Sequence, residues 1–316
     1  MKKNILGKTN IEVTELCFGV LPIGPLQKNV PVEEASEILA DALKKGINFF
    51  DTAQMYKTYP HIRLAIEKTG IRPVIASKST ATTYEDMETA IHEALRELDV
   101  PYIDIFHLHA ARANTDVFEV RKGAFQCLLD YKKKGLIKAV GIATHNAKVA
   151  KLVAENNDID ILFPLINKDA RGILEGTVQD MLQAIALNAE KGKGIYLMKV
   201  LGGGTLINDF HESMTFAREV QGSAAIALGM VSHEEVEYNT RYFNNEKDLD
   251  GILTIRNIKN PQVMQFMCIS CGRCKDVCHN DAIDFDEAGK AFIVLDKCMQ
   301  CGYCMSACPQ FCIRMV

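Results

Sequence analysis

The chain has 316 residues, 48% of them apolar and 24% charged, with a formal net charge of −4. These are ordinary values for a globular protein, and the net charge argues against a broad nucleic-acid-binding surface. No run of eighteen apolar residues occurs, so no membrane-spanning segment is expected. The length suits one large domain plus a small module.

In chain order, the opening MKKNILGKTNIEVTEL carries lysines but no continuous apolar run of signal length. Lys3–Val13, with Gly7-Lys8-Thr9-Asn10 at its centre, predicts a hairpin. Short apolar runs then alternate with amphipathic stretches up to about residue 250. Candidate strands are Leu16–Val20, Ile47–Phe50, Val74–Ser77, Ile103–Leu108, Ala139–Ala143, Ile161–Ile166, Ile195–Met198 and Ala224–Leu228. The clearest helices are Val32–Lys45, Tyr84–Leu98, Val117–Lys134 and Val178–Lys191, with Pro31 at one start and Gly46, Gly135 and Gly192 just past three ends. Alternating strands and helices argue a parallel sheet. Eight such units predict a closed (β/α)8 TIM barrel, its bottom plugged by the hairpin. Isolated Cys17 and Cys127 read as small buried hydrophobes.

Catalytic groups of such barrels sit where strands end at the C-terminal face. Asp51 closes the second strand, Tyr56 follows in the next loop, Lys78 ends the third strand and His109 the fourth. Asp51 followed by Thr52, standing alone, would read as a loop cap. His107 is expected to point away from His109 and to pack among the helices. The fragments INFFDTAQMY, VIASK and DIFHLH, with LGKTNIEVTELCFG and KKKGLIKAVGIATHN, resemble the aldo-keto reductases over most of residues 1–245. The resemblance implies that Tyr56 is the general acid for a carbonyl oxygen. A phenol has an ordinary pKa of about 10, and a neighbouring ammonium favours its ionised form. Lys78 would supply that charge, Asp51 would orient Lys78, and His109 would hydrogen-bond the substrate oxygen.

The same resemblance implies a nicotinamide cofactor, with candidate contacts at Thr144, Asn167, Met198, Leu201, Gly202, Gly229 and Glu235. The family's Ser-Asn pair after strand five is Ala143-Thr144 here, its glutamine of strand six is Phe163, and its stacking tyrosine is Met198. Leu201-Gly202-Gly203-Gly204 could offer backbone N–H groups to a pyrophosphate. Gly229 and Glu235 stand where the family places basic residues on the adenosine 2′-phosphate. A carboxylate repels a phosphate, so NADH is expected to bind no more weakly than NADPH.

Nine of the eleven cysteines follow residue 267. Cys268, Cys271, Cys274 and Cys278 read C-x2-C-x2-C-x3-C, and Cys298, Cys301, Cys304 and Cys308 repeat the run. This is the spacing of bacterial ferredoxins, in which the fourth cysteine serves the other cluster. The tail therefore resembles a two-[4Fe–4S] module. Cys268, Cys271, Cys274 and Cys308 would hold one cluster, and Cys298, Cys301, Cys304 and Cys278 the other. A zinc site has no place for a third cysteine at that spacing, and a disulfide framework would need an oxidising compartment. Pro309 follows the second run where the first has His279, and Cys312 superposes on Ala282 as a packing residue. The resemblance is to the ferredoxin-fused branch of the family.

The expected organisation is a barrel over residues 1–258 and a small α+β ferredoxin-like domain over 259–316. The expected activity is oxidoreductase, reducing a small carbonyl substrate with a nicotinamide cofactor, electrons from the clusters, or both. A redox partner protein could load the clusters. The alternative is a non-catalytic electron-transfer subunit with the barrel as docking platform. Thiolate ligands call for a reducing interior, so the cytoplasm is expected.

Overall fold

The computed structural model describes residues 1–246, 249, 260–278, 280–298 and 303–315. The expected domain boundary near residue 259, and with it Cys301 and His279, lies outside the described residues.

Strands β1 (Lys3–Ile5) and β2 (Glu12–Thr14) form the hairpin, pairing Asn4 with Val13. The barrel strands follow: β3 (Leu16–Gly19), β4 (Phe49–Asp51), β5 (Val74–Ser79) and β6 (Ile103–His109). Then come β7 (Ile137–Thr144), β8 (Ile161–Pro164), β9 (Gly194–Leu197) and β10 (Ala225–Gly229). All eight pair in parallel, and β10 closes on β3 to complete the barrel. The predicted strands are recovered with ends moved by a residue or two, as expected where pattern alone sets a boundary.

Two apolar layers hold this shell. Leu16, Phe18, Phe50, Ile75, Phe106, Val140, Leu162, Ile195 and Ile226 face outward onto the helices. Cys17, Phe49, Ala76, Ile105, Ala139, Ile161, Phe163, Tyr196 and Ala225 face inward. Alternate residues point to opposite faces of a strand, which is why the two sets interleave in sequence. Leu6 and Val13 of the hairpin join the inward set, so the hairpin does plug the barrel. Cys17 and Cys127 are fully buried.

The helix predicted over Val117–Lys134 is two helices, Val117–Val120 and Lys122–Lys133. The break falls at Arg121 (φ −110°, ψ 28°), whose guanidinium donates to the His109 carbonyl at 2.9 Å. Just beyond it the Ala124 N–H donates to the Thr82 carbonyl at 3.3 Å, outside the helix, which interrupts the ladder. Among the described residues no helix is long and apolar enough to cross a membrane.

After the barrel, β11 (Pro261–Val263) pairs antiparallel with β14 (Ile313–Met315), and β12 (Ile283–Phe285) with β13 (Ala291–Ile293). Short helices Arg273–Asp276 and Tyr303–Ala307 lie between them. Val263, Met264, Ile283, Ala291, Met305 and Ile313 pack with the buried cysteines as a separate small core.

Strand β14 lies on the barrel mouth. A Cβ added to Gly204 (φ +96°) would stand 2.6 Å from the Met315 Cβ, and one on Gly203 would stand 3.4 Å from the Phe311 ring. The glycine run is therefore the seat of the C-terminal strand, where any side chain would push the module off.

Candidate active site

Asp51 and Lys78 end neighbouring parallel strands, β4 and β5, and so meet at the barrel mouth. Lys78 is 2% exposed, and its Nζ donates to Asp51 Oδ1 and to the Thr52 carbonyl, each at 2.6 Å. Tyr56 ends the short turn Gln54–Tyr56, and Lys57 after it takes a left-handed backbone (φ 55°). This turn brings the Tyr56 ring to 5.1 Å from Lys78 Nζ and edge-on to the His109 ring, 5.9 Å between centroids. All four expected residues line one cleft of about 710 Å³.

Burial dominates the electrostatics. It raises the Tyr56 phenol above its ordinary range, and the nearby charges of Lys78 and Arg314 offset this only in part. The expectation that Lys78 makes Tyr56 a stronger acid is thus outweighed by desolvation. Burial pulls the Lys78 ammonium down, but Asp51 and Tyr56 together hold it above its usual value. Burial also raises the Asp51 carboxyl, against the pull of Lys78 and a hydrogen bond from Tyr196. His109 is driven well below the ordinary histidine range by burial and by Lys78, so it stays neutral at neutral pH.

His107 corrects the sequence reading. It lies inside the barrel, not among the helices, because residues two apart on a strand share a face. Its Nε2 contacts the Tyr196 hydroxyl at 2.7 Å, and that hydroxyl donates to Asp51 Oδ2 at 2.9 Å. Since the hydroxyl proton goes to Asp51, Nε2 carries the histidine proton. Burial keeps the ring neutral and Nδ1 has no partner. On β7, a Cβ on Gly141 would stand 2.2 Å from that Nδ1, so the strand must carry glycine there. Phe163 stacks on Tyr196 with centroids 3.8 Å apart and lies 5.3 Å from Lys78 Nζ.

The expected nicotinamide contacts are divided. Met198, Leu201, Gly229 and Glu235 line the cleft, whereas Thr144, Asn167 and Gly202 do not. Thr144 is fully buried and its Oγ1 accepts from the Asn146 N–H at 3.1 Å. The Asn167 amide, also fully buried, donates to the carbonyls of Arg171 and Lys199 and accepts from the Arg171 N–H. Both side chains are thus engaged by neighbouring backbone groups away from the cleft. In the glycine run, the Gly202 and Gly204 N–H groups donate to the Lys199 and Leu201 carbonyls. Glu235 is 6% exposed, and its Oε2 accepts from the Val231 N–H at 2.7 Å, closing the start of helix His233–Phe243. Four of the seven expected positions thus face the cleft and three do not.

The cysteines behave differently. Cys268, Cys271, Cys274 and Cys308, the crossed set, line a common cavity together with Cys312, Ile269 and Gln310. Among the described residues no three His, Cys, Asp or Glu converge on a single-ion site; these four thiols surround a space instead. Four sulfurs around a cavity are the donor set a [4Fe–4S] cube takes. Backbone N–H groups aim at the sulfurs: Ala291 at Cys268, Cys312 at Cys308 and Ala282 at Cys278, at 3.5, 3.5 and 3.3 Å. Hydrogen bonding from Cys312 pulls the Cys308 thiol down to about 5, against its burial. Cys312 is itself buried, with its sulfur 3.3 Å from that of Cys308. Cys278, Cys298 and Cys304 of the second set are described.

The cleft also holds residues outside the expected set. Arg314 of β14 and Lys199 after β9 line it, together with Arg112, Arg121 and His145. A cation six residues beyond Cys308, the end of the duplicated cysteine run, is the available signal for Arg314.

The aldo/keto reductase family model matches residues 15–223, and a 4Fe-4S dicluster domain model matches residues 267–315. The uncharacterized oxidoreductase YqkF of Bacillus subtilis is 26% identical over 257 residues, 73% of this chain and 80% of that one. L-galactose dehydrogenase of Arabidopsis thaliana is 23% identical over 64% of this chain and 66% of its own length. A ferredoxin of Pyrobaculum islandicum is 40% identical over 45 residues, 14% of this chain and 42% of that one. Among solved structures, the holo form of aldo-keto reductase AKR11C1 from Bacillus halodurans superposes with a TM-score of 0.61 at 19% identity, covering 76% of this chain and 90% of that one. An aldo/keto reductase from Brucella melitensis gives 0.60 at 18% identity, over 80% and 99% of the two chains. The chain belongs to the aldo/keto reductase family and carries a C-terminal 4Fe-4S dicluster domain.

Proposed function

We propose that this chain is an iron–sulfur oxidoreductase that reduces a small carbonyl compound in the cleft, with its reducing equivalents drawn from the C-terminal module. One observation carries the reading. Ile269 and Gln310 line both the cleft of Tyr56, Lys78 and His109 and the cavity of Cys268, Cys271, Cys274 and Cys308. Electron carrier and substrate site would then share a wall. A [4Fe–4S] cluster held by those four cysteines would supply electrons one at a time. The domain limits, 1–258 and 259–316, belong to the same proposal, as does a redox partner protein that loads the module.

Conversion of the carbonyl to an alcohol takes two electrons, which would pass singly from the module, and two protons. Tyr56 would donate its phenolic proton to the carbonyl oxygen as negative charge develops there and, reprotonated from the Lys78 ammonium, would supply the proton that completes the C–H bond. Lys78, fixed by Asp51 and the Thr52 carbonyl, would then stabilise the phenolate left behind. Neutral His109 would hydrogen-bond the same oxygen and orient it. Met264, Phe266, Met267 and Ile269 of the module line the cleft with apolar side chains, which would limit water at the reacting carbonyl.

The test is anaerobic turnover of aldehydes and ketones by the chemically reduced holoprotein, with parallel NADH and NADPH titrations followed by cluster absorbance. Alcohol formation from prereduced protein, matched by bleaching and lost in Tyr56→Phe, supports the reading. Turnover that required NADH or NADPH and left the cluster spectrum unchanged would assign the reducing equivalents to a nicotinamide.

A further inference from the structure

Seven charged side chains line the cleft: Lys78, Arg112, Arg121, Lys199 and Arg314 against Asp51 and Glu235. Both carboxylates are engaged, Asp51 with Lys78 and Tyr196 and Glu235 with the Val231 N–H. Among the described residues none of the other four cations forms a salt bridge. Arg112 bonds Gln310 through its side-chain and backbone oxygens, and Arg121 bonds the His109 carbonyl. Lys199 Nζ lies 5.4 Å from the Phe311 ring centroid and has no carboxylate. Arg314 is 6% exposed, and among the described residues its Nε has no partner and its Nη2 is 3.6 Å from the Met267 sulfur.

Buried charges in proteins are paired, since desolvation is otherwise uncompensated. Here Arg314 is buried, Arg121 and Lys199 are half-buried and Arg112 is exposed, and among the described residues none of them has a carboxylate partner. Burial, Arg314, Lys78 and Arg112 all act to push the Lys199 ammonium well below its ordinary range. Lys199 is also held in the left-handed backbone region (φ 57°), an arrangement disfavoured for a residue with a side chain. Arg314 lies close enough to act on Tyr56 and His109 electrostatically. The missing partner is an anion, and it belongs beside the carbonyl site.

We propose that the cleft takes an oxo acid, with its carboxylate docked between Arg314 of the module and Lys199 of the barrel, and its carbonyl oxygen facing Tyr56 and His109. This names the substrate class of the reductase reading above and rests on it for the chemistry, though not for the binding. Arg314 offers a planar fork suited to a carboxylate. The site is complete only when β14 sits on the barrel, so neither domain alone would show it.

Calorimetry on the oxidised, anaerobic holoprotein tests it, with matched pairs of ligands: levulinate against pentanone and pyruvate against acetone, and with inorganic phosphate and NADPH as the other anions. The acids should bind at least ~10-fold more tightly than the ketones. Arg314→Met should cost the acids ~10–100-fold while leaving the ketones unchanged, as for loss of a charge-assisted hydrogen bond. Arg314→Lys should restore part of the loss, and Lys199→Met should repeat it if Arg314→Met fails to fold. Equal affinity for acid and ketone overturns the proposal, as does tight binding of phosphate or NADPH alone. It also fails if Arg314→Met moves the cluster potential and leaves acid affinity within about twofold, which would make the cluster itself the counter-charge. Arg314-dependent acid binding without turnover would remove the reductase reading and leave the anion site standing.

Discussion

Tyr196 supports Asp51 from inside the barrel: its hydroxyl donates to Oδ2 at 2.9 Å, on the carboxylate whose Oδ1 receives Lys78. Asp51 thus has both oxygens committed, and its plane is set by two strands, β5 and β9. The other end of the Tyr196 hydroxyl is fixed by His107. Tyr196→Phe leaves Asp51 Oδ2 and the His107 Nε2–H without partners in a dry interior. The unfolding free energy should fall by about 1–3 kcal/mol, measured by anaerobic denaturant titration. Turnover should drop less than in Tyr56→Phe, because the Lys78–Asp51 contact survives. An unchanged midpoint would mean that buried water replaces the hydroxyl.

Tyr56→Phe removes one hydroxyl and little volume. Iron content and fold should persist, with reduction slowed ~10²–10⁴-fold. Near-wild-type turnover would move the acid to another group.

The pH dependence of reduction follows from the raised Tyr56 phenol. Its acid form is present below its pKa and is lost as pH rises through it, and burial places that value above the ordinary ~10. Reduction limited by this proton should therefore stay flat through ~pH 7–9 and fall only beyond. A decline inside that window would show that the Lys78 charge prevails over desolvation.

His107, His109 and His145 are all held well below the ordinary histidine range, chiefly by burial. The unfolded chain, with histidines near ~6.5, takes up protons that the folded chain refuses. Stability is therefore present above that value and is lost as pH falls through it. The slope should approach ~1.4 kcal/mol per pH unit for each histidine. Unfolding of the holoprotein at ~pH 7.5 and ~pH 5.5 should show this, and His145→Asn should make the slope shallower. A flat profile would contradict neutral burial.

Anaerobically purified protein should carry about eight iron and eight acid-labile sulfides. Cys298→Ser and Cys308→Ser should damage different clusters, distinguishable by electron paramagnetic resonance of the reduced protein. Stoichiometric zinc without visible absorbance would end the cluster assignment, and loss of the same signal in both variants would end the crossed ligation.

Much of this was legible along the chain because it repeats locally. Strand-helix alternation marks the barrel, a duplicated cysteine spacing marks the module, and the expected tetrad sits at three successive strand ends and the turn after the first of them. What was illegible depends on closure. Tyr196 reaches Asp51 only because β9 faces β4 across the barrel interior, a relation that no window of sequence contains. Arg314 reaches the cleft only because β14 folds back onto the glycine run. His107 was misplaced for a different reason, since the H-x-H spacing on β6 already implies a shared face. Gly202–Gly204 looked like a phosphate loop because a glycine pattern records close approach without naming what approaches; here it is Met315 and Phe311.

If the module feeds the barrel as proposed, the seating of Met315 on Gly204 also changes the kinetics of supply. A free carrier protein meets its enzyme by diffusion, at a rate that scales with its concentration. A carrier tethered to its own barrel meets it at an effective concentration of order millimolar, set by the linker and independent of dilution. Re-engagement after any local detachment is then first order, and dilution of the protein leaves it untouched.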